Sequence, residues 1–295
     1  MSFFPGFEQR RVAIGPISLN VRLGGSGSPL LLLHGYPQTH VTWHKVAPEL
    51  ARHFTVICPD LKGYGDSDSP PPTPDSGNYS KRVMGEEMLA LMRALGHQQF
   101  AVVGHDRGAR IAYRLALDHP EAVGKLVVLD ILPTADYWDL ADRKFAVNTF
   151  HWGFLAREGG LPERLIGADP DFFQDYLMHL WTGNYDALAP EALAEYRRCF
   201  RKPANLAASC ADYRAGYTID DALDRADKAA GKKIACPVLV LSGDQYLSTG
   251  EDQAVDIWKR WATDVRGSII QSGHFVAEEK PQEVLAALVP FLRAG

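Results

Sequence analysis

Four hydrophobic runs constrain this 295-residue chain more than any other feature: "PLLLLHG" (29–35), "FTVICPD" (54–60), "FAVVGHD" (100–106) and "KLVVLDI" (125–131). Each is almost unbroken by polar residues until an acid, a histidine or a glycine at or near its end. A strand with one wet face alternates polar and apolar residues; a run without alternation is covered on both faces. The pattern therefore predicts a mostly parallel sheet with helices packed on both sides. Helical periodicity lies between the runs, in "KRVMGEEMLALMRALG" (81–96) and "GARIAYRLALDHP" (108–120). "RVAIG" and "SLNVRL", split by Gly15-Pro16, read as an opening antiparallel hairpin.

The strand type disappears after Ile131 and returns at "CPVLVLSGD" (236–244) and "GSIIQSGH" (267–274). The intervening stretch is rich in aromatics and helix formers. The expected organisation is a sheet domain in two parts, 1–132 and 234–295, with a helical cap inserted as 133–233. Such an insertion would lie at the carboxyl ends of the strands, where open α/β sheets bind ligands. Within the cap, Trp138, Phe150, Phe172 and Tyr176 are expected to form its core.

The formal net charge of -5 argues against nucleic acid or an anionic membrane as partner. No apolar run approaches the ~18–20 residues of a membrane span, and "MSFFPGFEQRRVAIG" lacks the pattern of a secretory signal. Cys58, Cys199, Cys210 and Cys236 form no C-x-x-C pair, so neither a disulfide framework nor a zinc site is expected. A cytoplasmic enzyme without metal or cofactor fits these features.

Gly104-His105-Asp106-Arg107-Gly108 fits the strand-to-helix elbow that carries a nucleophile between small residues, with Asp where the common pattern has Ser. Alone, the acid could equally be the N-cap of the next helix. Three further features agree with the elbow. His34-Gly35-Tyr36-Pro37 follows an early strand, where a loop contributes to the oxyanion hole; the donors would be the amides of Tyr36 and Arg107. Ser272-Gly273-His274 follows the last strand, where a base belongs. Asp130 and Asp244 both end strands, and either could orient His274.

An aspartate nucleophile narrows the chemistry. Attack on an acyl carbon would give an anhydride, whereas attack on saturated carbon gives an ordinary alkyl ester that water can hydrolyse. Arg107 and Arg110, three apart at a helix start, share a face suited to an anion, while Arg114 reads as an ordinary ion-pairing residue. Asp66 and Asp68 read as loop residues.

The chain resembles the fluoroacetate (haloacetate) dehalogenases of the α/β-hydrolase superfamily. The likeness runs through "LLLLHGYPQTHVTWHKVAPEL", "GYGDSD", "GHDRGAR", "LDILPT", "HW", "DYRAGYTID" and "SGHF…EE.P". It implies an α/β-hydrolase fold with Asp106 as nucleophile, His274 as base and Asp130 as its orienting acid. It further implies that Arg107 and Arg110 hold the substrate carboxylate. His151, Trp152 and Tyr213 would bind the departing halide, and Trp181 would line the pocket. The implied substrate is a small anionic 2-haloacid, and the implied assembly a homodimer. An epoxide hydrolase of the same fold, or a non-catalytic small-molecule receptor built on it, are the alternatives.

Overall fold

The structure is a computed structural model that describes residues 3–247 and 253–294. Its frame is one eight-stranded sheet: β1 (Glu8–Ile14), β2 (Ile17–Gly24), β3 (Ser28–Leu33), β4 (Phe54–Pro59), β5 (Phe100–His105), β6 (Val123–Leu129), β7 (Val238–Gly243) and β8 (Val265–Ile270). The spatial order is β1-β2-β4-β3-β5-β6-β7-β8. β1 pairs with β2, and β2 with β4, in antiparallel fashion, and every later pairing is parallel. The unbroken apolar runs are the central strands, and Leu30–Leu33, Val102, Val103 and Leu126–Leu129 are fully buried.

After β3 the chain goes outward to β4 on one side and then returns to β5 on the other, so the strand order reverses between β3 and β5. A crevice opens at the carboxyl ends of the strands at such a reversal. The register fixes what lines it. Leu33 lies opposite Gly104, and His105 opposite Leu129, so the residues that follow β3, β5 and β6 emerge side by side.

Helices α1 (Ala47–Leu50), α2 (Lys81–Ala94) and α3 (Arg107–Asp118) accompany the first strands. Between β6 and β7 the chain is helical: α4 (Thr134–Asp139), α5 (Arg143–Asn148), α6 (Phe150–Leu155), α7 (Leu161–Ala168), α8 (Pro170–Trp181), α9 (Pro190–Phe200), α10 (Pro203–Ala215) and α11 (Asp221–Ala229). A π-helical turn, Gly216–Asp220, joins α10 to α11. The chain closes with α12 (Gln253–Lys259), α13 (Val276–Glu279) and α14 (Pro281–Arg293). No helix among the described residues is long and apolar enough to cross a membrane.

One expectation fails here. Phe172 and Tyr176 do not pack in a cap core but stand 67% and 48% exposed on α8. They are four apart, as are Tyr176 and Leu180, which is also exposed, so one face of the helix carries an uncovered apolar stripe. Trp138 and Phe150 are partly buried against the core, as expected.

Candidate active site

Asp106 leaves β5 with φ 47° and ψ -118°, a conformation that side chains rarely adopt. Such a residue costs about 1–3 kcal/mol and persists only where its surroundings enforce it. The enforcement is steric. A Cβ on Gly104 would overlap the backbone of Ala109, and one on Gly108 would overlap the carbonyls of Leu33 and His34. The side chain of Asp106 makes no capping hydrogen bond to α3. Instead Oδ1 accepts the Tyr36 N–H at 2.8 Å. Arg107 begins α3, so its N–H is one of those that a helix start leaves without an intrahelical partner.

Oδ2 of Asp106 lies 3.7 Å from Nε2 of His274. The other ring nitrogen, Nδ1, is 2.6 Å from Oδ2 of Asp130, whose Oδ1 accepts the Gly243 N–H at 2.9 Å. Asp244 is solvent-exposed, so of the two strand-end acids only Asp130 reaches the histidine. Burial alone would lower His274, but the carboxylates of Asp106 and Asp130 outweigh it and push it up to about 9. Burial likewise opposes ionisation of Asp106, yet the charges of His274 and Arg107 hold it well below the usual carboxylate range.

Arg107 and Arg110 are both buried, Arg107 completely. Nε and Nη2 of Arg107 donate to Asp212 Oδ1 at 3.1 and 2.5 Å, while Nη1 has no partner. Arg110 Nη1 donates to the Leu132 carbonyl and the Thr134 hydroxyl, each at 3.0 Å, and its Nε is unpaired. Arg114 is ion-paired as expected, with Asp118 and Asp227, though inside the protein rather than on its surface. Asp66 and Asp68 pair with Arg198 and Arg11 in the loop following β4.

The predicted cap residues close over the arginines. The Arg107 guanidinium lies 4.3 Å from the Tyr213 ring and that of Arg110 lies 4.5 Å from Trp152. The His151 ring lies 4.5 Å from that of Trp181, tilted by 53°, and Trp181 in turn lies 5.7 Å from His274. Nδ1 of His151 and Nε1 of Trp181 are buried without partners. Burial pushes His151 down to about 3 and so keeps it neutral; it pushes the Tyr213 phenol up, which keeps its proton on. Buried polar groups are nearly always paired, so the unpaired atoms of Arg107, Arg110, His151 and Trp181 make this a candidate ligand site.

The chain matches the α/β hydrolase fold family over residues 28–281. A fluoroacetate dehalogenase from a Burkholderia species is 44% identical over 98% of this chain and 95% of its own. The chain belongs to the haloacetate dehalogenase family of α/β hydrolases. A soluble epoxide hydrolase from Corynebacterium sp. strain C12 is 34% identical over 90% of this chain and 91% of its own. Among solved structures, an α/β hydrolase from Nostoc sp. PCC 7120 superposes with a TM-score of 0.96 at 48% identity, covering 100% of both chains. This member of the family is thus an enzyme, a hydrolase.

Four side chains at this dehalogenase-family site were not found from sequence. Tyr137 lies 5.6 Å from the Arg110 guanidinium, and Tyr246 lies 4.2 Å from His274. Asp212 grips Arg107, and Glu279 brackets His274. Asp212 and Glu279 fall inside "DYRAG" and "EE.P", so the motifs contained them without indicating their contacts. Tyr246 lies in an irregular stretch with no periodicity to mark it.

Proposed function

We propose that this protein hydrolyses the carbon–halogen bond of short 2-haloacids, converting fluoroacetate or its heavier analogues to glycolate and halide. The observation that carries the proposal is the pair of buried guanidinium groups with free N–H donors directly beside an ionised, strained aspartate. Arg107 already pairs with Asp212, whereas Arg110 meets only the Leu132 carbonyl and the Thr134 hydroxyl. A buried cation without a counter-charge is costly, and a substrate carboxylate supplies that charge in a geometry matched to a guanidinium.

Arg107 Nη1 and Arg110 Nε would hold the carboxylate. Asp106 Oδ1 is occupied by the Tyr36 amide, so Oδ2 is the oxygen free to attack the α-carbon. The C–O bond forms as the C–halogen bond breaks, and the electron pair leaves with the halide. His151, Trp152 and Tyr213 would receive that ion through N–H and O–H donors, a need greatest for fluoride, whose charge is strongly hydrated. Trp181, with Nε1 unpaired beside His151, lines the same space.

Forming the ester removes the negative charge of Asp106. One of the two charges that hold His274 up is then gone, and the imidazole gives up its proton more readily. Neutral His274, oriented by Asp130, takes a proton from water as the water attacks Cγ of Asp106. The amides of Tyr36 and Arg107 stabilise the oxyanion on Oδ1. Collapse releases the hydroxyacid and restores the carboxylate.

The relative named a soluble epoxide hydrolase supports a second reading, in which the same aspartate opens an uncharged epoxide. The cations favour an acid. The test is a single turnover in heavy-oxygen water with fluoroacetate, alongside styrene oxide. We expect fluoride release, label in Asp106 before product and no styrene oxide turnover; Asp106→Asn should abolish turnover and Arg110→Ala should mainly raise KM. Label passing directly into glycolate, or turnover surviving Asp106→Asn, refutes the covalent route. The exposed stripe of Phe172, Tyr176 and Leu180 supports a homodimer, testable by light scattering.

A further inference from the structure

One carboxyl group grips the loop that carries His274 on both sides of the histidine, whose own carbonyl meets Nε2 of His105 at 2.7 Å. Glu279, at the end of α13, accepts four backbone N–H groups. Its Oε2 takes those of Gly273 (3.1 Å), Gly183 (2.9 Å) and Asn184 (3.1 Å), and its Oε1 takes that of Phe275 (3.1 Å). Gly273 and Phe275 are the two neighbours of His274. Gly183 and Asn184 belong to the turn that follows Trp181 at the end of α8. The histidine's own N–H donates to the Trp181 carbonyl at 2.8 Å.

The seam between the two backbones is tight enough to exclude side chains. A Cβ on Gly273 would overlap Gly183 and Trp181, and one on Gly183 would come within 2.7 Å of the Gly273 nitrogen. The base and the tryptophan wall of the pocket therefore share one anchor. All four contacts are donors converging on two oxygens, which suits a group that only accepts. Glutamine would turn an NH2 toward at least one of these N–H groups.

We propose that Glu279 is a positioning residue for the second half-reaction: it sets the height of Nε2 of His274 over the ester carbon by fixing the backbone on both sides of the ring. Its action falls chiefly on that step because Asp106 attacks the halide-bearing carbon without a proton transfer, and the Trp181 wall that it also anchors only lines the pocket in the first step. Oδ1 of Asp106 is fixed independently through Tyr36. A displacement of about 1 Å in a reacting group can cost ~100-fold in rate. The inference rests on the covalent mechanism proposed above, and its test separates the two.

Wild type, Glu279→Gln and Glu279→Ala would be mixed rapidly with chloroacetate, following chloride release and the mass of the intact protein. We expect a burst of one chloride per active site in the variants, then steady-state turnover slowed by roughly 10–100-fold, with the protein accumulating as the carboxymethyl ester of Asp106. A residue that merely supports the fold would slow both steps alike or reduce the active fraction. Loss of the burst, unchanged steady-state turnover, or failure of even the Gln variant to give a native circular dichroism spectrum overturns the proposal. If Asp106→Asn retains turnover, the covalent mechanism itself falls, whatever the Glu279 variants do.

Discussion

Asp212→Asn is the most informative single change in this structure. Asp212 is completely buried on α10, and its Oδ1 meets two cations, the guanidinium of Arg107 and the ammonium of Lys81 at the start of α2. Its other oxygen accepts the Tyr64 hydroxyl at 2.8 Å. Asparagine keeps the volume and one acceptor but removes the charge between two buried cations. Deleting one partner of such a pair costs about 3–5 kcal/mol. At about 2–4 °C per kcal/mol for chains of this order, the melting temperature should fall by roughly 6–20 °C. The Arg107 fork also loses the group that aims Nη1 at the substrate, so KM for haloacetate should rise more than kcat falls. Calorimetry with and without acetate at constant ionic strength, combined with steady-state kinetics, reads both effects. Acetate should recover more stability in the variant than in wild type, because an added anion replaces part of the missing charge. The Lys81→Met/Asp212→Asn double variant should regain part of the loss, since it removes one cation with the anion. A melting temperature within about 2 °C of wild type, or strictly additive single and double variants, would refute the account of Arg107 as a cation held by the cap.

Two further changes test neighbouring parts of the argument. A Cβ on Gly216 would lie 2.9 Å from Nη2 of Arg107, so Gly216→Ala should raise KM for haloacids several-fold with little change in kcat; an unchanged KM would show that the guanidinium yields at no cost. For His274 the folded-state value of about 9 exceeds the ordinary 6.5. The stabilisation from its proton is therefore complete below about pH 6.5 and is lost as pH rises through about 9. Chemical denaturation of wild type and His274→Gln across that window should converge as pH rises, and a gap that widens toward alkaline pH would contradict the pairing with Asp106 and Asp130.

The sheet was legible because buried parallel strands write themselves as uninterrupted apolar runs, and the elbow because its turn admits only small residues at 104 and 108. Strand pattern alone did not separate Asp130 from Asp244, since both simply end strands, and only the resemblance through "LDILPT" pointed to Asp130; the side chain of Asp130 turns inward to His274 and Asp244 is exposed. Lys81 and Asp212 are 131 residues apart, and nothing local to either announces a partner. Glu279 escaped for a related reason: its partners are backbone amides, which every residue but proline possesses. Phe172 and Tyr176 were misread because hydrophobicity says that a ring should be covered, not by which molecule.

Among the described residues, Ser76, Asp106 and Asp130 are the non-glycine positions with positive φ. Two of these three are the acids on either side of His274. Glycine at either site would relax about 1–3 kcal/mol of backbone strain, but it would delete a carboxylate paired with His274, a loss of about 3–5 kcal/mol for a buried pair. A library of this protein screened for heat resistance alone would therefore keep the acids at these two codons, because the same contacts that repay the unusual backbone also hold the chemistry in place.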